Sequence, residues 1–480
     1  MKPYLGYLPI SVGLLLALVL GRPPQPTTQP ALVGFDADRA YRNAAEVVGE
    51  GIPRVPGSPS HDRAGEFIRT RLAEFGRLRV ETEPFDWHGL SYTNILATID
   101  EGPDGSDPSR IYLSAHYDSR PGTPGAVDNA SGVGILLESI RILVGRDWDK
   151  TLVFAFWDGE EDGLVGSRHH VRGLSQDEQD SVLAMISLDM PGWQGGSPVI
   201  HTFGKAWEVD APRLVPFWLP HLVIASADRA GEPLRIGDPW ISFHYQMGVR
   251  NMRVPFSSDD GPFLEAGIPA IFLSNSSFIQ FFPHYHGPAD TMEQVGEDAL
   301  RQCGKTVIAA TEALETLEER PQPGSDVYLI LGGFVFTDWI LRGMMLLAMV
   351  PALLAAPSTR VDRTCTVALL LLGGVTVFRL DDPFQPCLAM PLLLAYPLLR
   401  VRRSYLLKAI SLAGLLPAFT TALFLIQVRV LFGEDAPIHL SPLDWITLTA
   451  APAIFLFRAV QAEKLLRKDA TAVDAGRTEQ

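Results

Sequence analysis

Thiols are nearly absent from this chain: its 480 residues include three cysteines, Cys303, Cys365 and Cys387. So few exclude a disulfide framework and make a Cys-based zinc site or a Cys nucleophile a poor reading. Cys303 stands alone in the first two thirds of the sequence, where a small buried apolar residue is the simplest account of it. Positive charge is also scarce. Forty Lys and Arg face 55 Asp and Glu, a net charge of −15, which argues against a nucleic-acid partner held through phosphates. There is no internal repeat and no pattern resembling a nucleophile elbow, so Ser/His/Asp acyl transfer is not the expected chemistry.

What is present falls into two populations. Residues 35–325 have the composition of an ordinary soluble domain, whereas residues 326–462 are dominated by Leu, Ala, Val, Ile and Phe. The chain opens with MKPYLGYLPISVGLLLALVLG, one Lys before an apolar run, without a clear small-x-small cleavage site. Residues 1–21 are read as a signal anchor, with a cleaved signal peptide as the alternative, and residues 22–34 as a Pro/Thr spacer. Apolar segments at roughly 327–356, 365–379, 384–399, 405–431 and 443–460 are expected to be transmembrane helices, although several are short for about 30 Å of hydrocarbon. Arg360, Arg363, Arg400, Arg402, Arg403, Arg467 and Lys468 lie in alternate loops and the 463–480 tail, and Asp381, Asp382, Glu434 and Asp435 in the others. The positive-inside rule then places both termini in the cytoplasm and the 35–325 domain on the extracytoplasmic, periplasmic or lumenal, side of an integral membrane protein in contact with lipid. Asp338 and Arg342, four apart in the first segment, read as a self-neutralising pair.

Within 35–325, apolar runs alternate with helical periodicity. Strands are expected near Leu78–Ala97, Ile111–Ala115, Leu152–Trp157, Ala184–Leu188 and Ala270–Leu273. Helices are expected in Phe35–Phe75, at Gly132–Val144, from Gly166 and over Gly296–Leu314. This is an α/β pattern, a β-sheet flanked by helices. Residues 204–254 read as a loop-rich insertion.

Chemistry-bearing residues gather where the strands end. HYDSRPGTPGAVDNASG supplies His116, Asp118 and Asp128, followed by a helix start with Asn129 or Ser131 as cap. LVFAFWDGEEDGLVGS ends a strand in Glu160 and Glu161, of which one can bind a metal while the other takes a proton from water. ISLDMPG supplies Asp189, and FPHYHGPADTME supplies His284 and His286, with Asp290 placed to orient one of them. Ligands collect at strand ends in α/β folds. Imidazole and carboxylate without thiolate suit a catalytic zinc site, and five ligands with one shareable carboxylate suit two metals.

HYDS, GAVDNASG, DGEEDGLVGS, SLDM, GIPAIFLS and YHGPADT, in that order over about residues 44–315, resemble the di-zinc exopeptidases that include aminopeptidase Y, bacterial leucyl aminopeptidases and glutamate carboxypeptidase. The resemblance implies the mixed-sheet zinc exopeptidase fold and two Zn2+ per chain. It implies that His116 and Asp189 hold one zinc and Glu161 and His286 the other, with Asp128 bridging. Asp118 then orients His116, Glu160 is the general base, and the reaction is hydrolysis of a peptide at a chain end. The layout with membrane spans is similar to endoplasmic-reticulum metallopeptidases and vacuolar membrane proteases.

One departure is Ser258-Asp259-Asp260-Gly261-Pro262-Phe263, where many relatives have His at the position of Asp260. It puts substrate contacts in question. Trp193 and Tyr285 adjoin ligand motifs and are read either as pocket lining or as packing. A single-zinc glutaminyl cyclase, an inactive receptor or scaffold on the same fold, and a transporter with an accessory peptidase are the rival readings. Aminopeptidase is favoured over carboxypeptidase or dipeptidase, and the oligomeric state is left open.

Overall fold

The computed structural model describes residues 34–100, 108–201, 203–204, 213–236, 258–277, 280–318, 320–321, 328–331, 334–337, 340, 342–343 and 346. In chain order the main unit contains α1 (Ala37–Val48), α2 (Pro59–Ala73), β1 (Arg79–Trp87), β2 (Leu90–Ile99) and β3 (Arg110–His116). These are followed by α3 (Ser131–Leu143), β4 (Thr151–Trp157), α4 (Val165–Gly173), α5 (Gln176–Ser181), β5 (Val182–Leu188) and β6 (Val199–His201). Then come β7 (Phe203–Gly204), β8 (Arg213–Leu214), α6 (Trp218–Arg229), β9 (Arg235–Ile236), α7 (Asp260–Glu265), β10 (Ala270–Ser274) and α8 (Glu297–Glu315).

Eight strands form one mixed sheet in the order β1-β2-β4-β3-β5-β10-β6-β9. Its centre, β4-β3-β5-β10, is parallel. The antiparallel β1–β2 hairpin adds one edge, and β6 adds antiparallel to β10 on the other side. β4 and β5 are buried at every position, which is why they read as continuous apolar runs rather than alternating ones. Helices α1, α3 and α8 pack on one another, and α4 and α7 form a second group. Tyr112 of β3 and Trp157 of β4 meet Phe263 of α7 and His170 of α4 there. A mixed sheet flanked by helices is therefore the architecture. Parallel strands end on one side, so the loops after β3, β4, β5 and β10 converge.

The segment read as a loop-rich insertion contains α6. Its sequence hides it, because Trp218, Leu219, Pro220, His221, Leu222, Val223, Ala225, Ser226 and Ala227 are all buried. A helix covered nearly all round shows no polar stripe, and Pro220 falls in its first turn, where proline is tolerated.

A second compact unit takes up the chain from Val327. The all-α transmembrane region expected from residue 326 departs from that reading at its start: Tyr328–Leu331 and Phe334–Thr337 pair as an antiparallel hairpin. The sequence between and around them explains this, since Gly332-Gly333 separates two short β-branched and aromatic runs. No helix among the described residues is long and apolar enough to cross a membrane. Residues 1–21, Asp338, and the expected spans and tail beyond residue 346 lie outside the described residues.

Gly134 sets the approach of α3 to α1. A Cβ there would lie 2.3 Å from the carbonyl oxygen of Ala40 and 3.1 Å from Cβ of Ala44. Alanine gains about 1 kcal/mol of helix propensity over glycine, but overpacking a closed contact costs about 1–3 kcal/mol. Gly134→Ala is expected to be net destabilising, read as a lower midpoint in urea denaturation of the full chain. An unchanged or higher midpoint would mean that α1 can move away freely.

Candidate metal centre

His116 is the last residue of β3, in register with Trp157, the last of β4. Each ligand segment follows such an end. His116 is fully buried, and its Nε2 lies 3.2 Å from Asp128 Oδ1, 3.7 Å from Asp189 Oδ1 and 4.0 Å from Glu160 Oε2. His286 Nε2 lies 3.1 Å from Glu161 Oε2 and 3.5 Å from Asp128 Oδ2. The two oxygens of Asp128 thus face one histidine each. Two trios result, His116/Glu160/Asp189 and Asp128/Glu161/His286, with the donor atoms of each within 4.8 Å of one another.

Asp118 ties two of these segments together. Its Oδ1 lies 3.3 Å from His116 Nδ1, and its two oxygens accept the N–H groups of Glu160 (3.2 Å) and Glu161 (3.1 Å). The turn that carries the glutamates is fixed at its start by Asp158, which accepts the Thr93 N–H at 2.7 Å and lies 2.8 Å from His61 Nε2. Gly159 is required next. Its φ is +71°, and a Cβ would meet Val165 at 2.5 Å and the Tyr92 ring at 2.6 Å.

Asn129 holds Asp189 from both sides. Its Nδ2 donates to Leu188 O at 2.7 Å, and its Oδ1 accepts the Met190 N–H at 3.3 Å and the Gly132 N–H at 3.2 Å. The last of these bonds satisfies a donor at the start of α3, although the N-cap position is Ala130 and neither Asn129 nor Ser131. Ser131 Oγ instead donates to Val127 O and accepts from Gly192 N–H. Met190 (φ +53°) and His286 (φ +54°) both occupy the left-handed region, a strain that persists where the surroundings fix a side-chain direction.

Other sequence-level readings are revised. Asp290 does not orient a histidine: its carboxylate accepts the N–H groups of Val127 (2.7 Å) and Asp128 (3.2 Å), so it positions the backbone of Asp128. His284 packs edge-on against Phe282 and belongs to neither trio. Trp193 is buried against Phe282 and is packing. Tyr285 is 40% exposed and stacks on His286 at 3.6 Å. Asp260 is fully buried and accepts the Ser258 N–H at 3.1 Å, so it acts on the loop's conformation rather than at an exposed substrate surface.

Arg54 is the residue that sequence reasoning missed. It is fully buried, yet no carboxylate bonds it. Nε donates to Tyr117 O (2.7 Å), Nη1 to Pro124 O (2.6 Å), and Nη2 to Gly125 O (2.9 Å) and Asp118 O (3.4 Å). Its own N–H donates to Ser119 Oγ at 2.9 Å. One guanidinium therefore closes the 117–125 loop, whose two ends lead to Asp118 and Asp128. In a Pro/Gly-rich stretch, an arginine reads as a surface cation, and nothing in the sequence marks it otherwise.

The electrostatics follow from burial. Desolvation, then repulsion from Glu161, pushes up the Asp128 carboxyl; desolvation, then neighbouring acids against the opposing pull of His116, pushes up Glu161 and Glu160. Desolvation lowers Arg54 to about 10 against the pull of Asp118, Asp290, Asp128 and Glu161. A site this rich in buried carboxylate calls for cations. His116 Nε2, Glu161 Oε1 and Asp189 Oδ1 are buried and lack hydrogen-bond partners. A nitrogen and oxygen donor set with such orphaned atoms fits zinc.

The fold and this arrangement define a candidate metal centre of histidine and carboxylate at the ends of a parallel sheet. Residues 94–311 match the model of peptidase family M28. The chain is similar to aminopeptidase YwaD of Bacillus subtilis (31% identity over 217 residues, 45% of this chain and 43% of the relative). It is also similar to a "Probable leucine aminopeptidase" of Arthroderma benhamiae (27% over 242 residues, 48% and 59%). Among solved structures, a zinc aminopeptidase from Bacillus subtilis aligns with a TM-score of 0.49 at 18% identity, covering 58% of this chain and 95% of that one. The chain spans about half the length of the curated relatives it matches.

Removing Arg54 would strand buried carbonyl groups. Arg54→Met is expected to cost about 3 kcal/mol or more in denaturant unfolding, and Arg54→Lys less, because an ammonium can still reach some of the carbonyls. Equal stability of Arg54→Met and wild type would refute the clamp.

Proposed function

We propose that this chain is a zinc-dependent aminopeptidase holding two metal ions. The observation that carries the reading is Asp128, with Oδ1 turned to His116 and Oδ2 to His286, and the half-buried Glu160 within the first trio. His116 and Asp189 would hold one zinc, Glu161 and His286 the other, and Asp128 would bridge them. Bound zinc supplies Lewis acidity and makes water acidic enough to ionise near neutral pH.

The protein's own groups do the rest. Glu160 is the general base. Burial and the neighbouring Asp189 and Glu161 raise its proton affinity, which suits a group that accepts a proton from water and returns it to the leaving amine. Asp118 holds the His116 ring and, through the backbone N–H groups of Glu160 and Glu161, the position of both glutamates. Peptides are the substrates, and the family assignment supports that class.

We further propose that the peptidase domain faces the extracytoplasmic side of a lipid membrane with both termini cytoplasmic, on the strength of the loop charges. Alkaline phosphatase fused after residue 325 is then active in a bacterial host and inactive when fused after residue 480; the reverse pattern refutes the topology.

Zinc content and leucyl-arylamide hydrolysis by the full chain test the activity. Wild type is expected to hold about two zinc and to turn over, and Glu160→Gln to keep its zinc while losing about 10²–10⁴-fold in kcat. One zinc per chain together with cyclisation of an N-terminal Gln peptide would favour the cyclase reading. No turnover with full zinc would favour a scaffold.

A further inference from the structure

Arg120 stands beside the metal centre with most of its hydrogen-bonding capacity unused. Its Nε donates to Glu161 Oε2 at 3.1 Å, and its side chain is 48% exposed. Among the described residues nothing else pairs with its side chain, so both Nη groups, four N–H donors, are open.

The loop beneath is rigid. The Thr123 N–H donates to Arg120 O at 3.0 Å, Ser119 Oγ donates to Thr123 O at 3.0 Å, and Arg54 clamps both ends. Merely steering Glu161 would not need such a residue, because Asp118 already fixes the Glu161 backbone. The Nε contact instead sets the plane of the guanidinium and leaves its Nη edge free. That edge has the geometry for a bidentate pair with a carboxylate.

The distances select which carboxylate. Glu161 Oε2, which Arg120 touches, is also 3.1 Å from His286 Nε2. The guanidinium therefore touches the second trio at Glu161, and from that contact its Nη edge offers a further reach comparable with one residue's length, consecutive Cα atoms being about 3.8 Å apart. A peptide whose first carbonyl lies at the trios carries its second residue outward by that distance. In a dipeptide, that residue ends in a free carboxylate. In a longer peptide or an amide, a neutral amide takes its place.

We propose that Arg120 binds the free α-carboxylate of short substrates, and that dipeptides with a free carboxyl terminus are preferred. The proposal rests on the aminopeptidase reading of the same centre. It involves recognition only: the hydrolytic step and its proton transfers are unchanged.

The test compares Leu-Gly with Leu-Gly amide on the full-length, zinc-loaded protein. The wild-type ratio of kcat/KM, acid over amide, is expected to be about ten to a hundred, the size of a charge-assisted hydrogen-bonded pair. Arg120→Ala brings the ratio to near one, and Arg120→Lys, which keeps the charge and loses the fork, leaves it between the two. Any loss transmitted through Glu161 is common to both substrates and cancels in the ratio. Calorimetric binding of the two peptides to Glu160→Gln and to Glu160→Gln/Arg120→Ala supplies a readout without turnover, and the same preference should appear and vanish there. Arylamide hydrolysis without acid-over-amide preference in wild type overturns the role of Arg120 alone, as does a ratio unchanged in Arg120→Ala. Failure to hydrolyse the arylamide as well overturns the aminopeptidase reading and, with it, this one.

Discussion

Repulsion among buried carboxylates is the constraint on which the centre of this molecule depends. Asp118, Asp128, Glu160, Glu161 and Asp189 converge at the end of one sheet. Asp259 and Asp260 lie fully buried on α7 and the residue before it. Left alone, such a cluster would take up protons or spread apart. Instead the surrounding backbone is tied down by side-chain oxygens that accept its N–H groups and by one buried guanidinium. Asp290 holds the main chain of Asp128, Asn129 holds that of Asp189, and Asp118 holds that of both glutamates. Geometry is fixed by bonds to the main chain, which leaves the carboxylate oxygens that face the two histidines for cations.

This division separates two kinds of residue. The groups of the two trios come from strand ends and the loops that follow them, and their spacing in the chain reflects the sheet order β4-β3-β5-β10. The groups that hold them come from elsewhere. Arg54 precedes the whole sheet, and Asp290 follows its last central strand. A parallel sheet delivers the reacting groups to one place, and irregular segments with buried polar bonds set their final positions.

The same division explains what the sequence made legible. His116, Asp128, Glu160, Glu161, Asp189 and His286 stand out because acids and histidines directly after apolar runs are conspicuous, and the α/β alternation was readable from strands such as Leu152–Trp157 for the same reason. Arg54 did not stand out, since its partners are carbonyl oxygens, which every residue has. Asp290 was seen but given the wrong partner, because its nearness to His286 in the chain suggested a ring contact and its actual acceptor role is to residues more than 160 positions earlier. Helix α6 escaped because a fully covered helix has no period to read. The hairpin at Tyr328–Thr337 escaped because an apolar run of that composition suits a strand and a membrane helix equally.

The ligands are scattered from residue 116 to residue 286, with β4, β5 and β10 between them. His116 and Asp128 lie twelve residues apart and meet within one loop, but neither trio is complete until strands far apart in the chain have paired in register. Such pairing is slow, since long loops must close before any contact rewards them. Metal capture by these residues would consequently come late and report a correctly threaded sheet: a chain still unfolded, or folded with β5 or β10 slipped by one residue, would turn Asp189 or the loops beside it the wrong way and offer an ion no cage. A metal bound there would stabilise only the finished topology, so the supply of zinc would act as a final proof-reading step on folding.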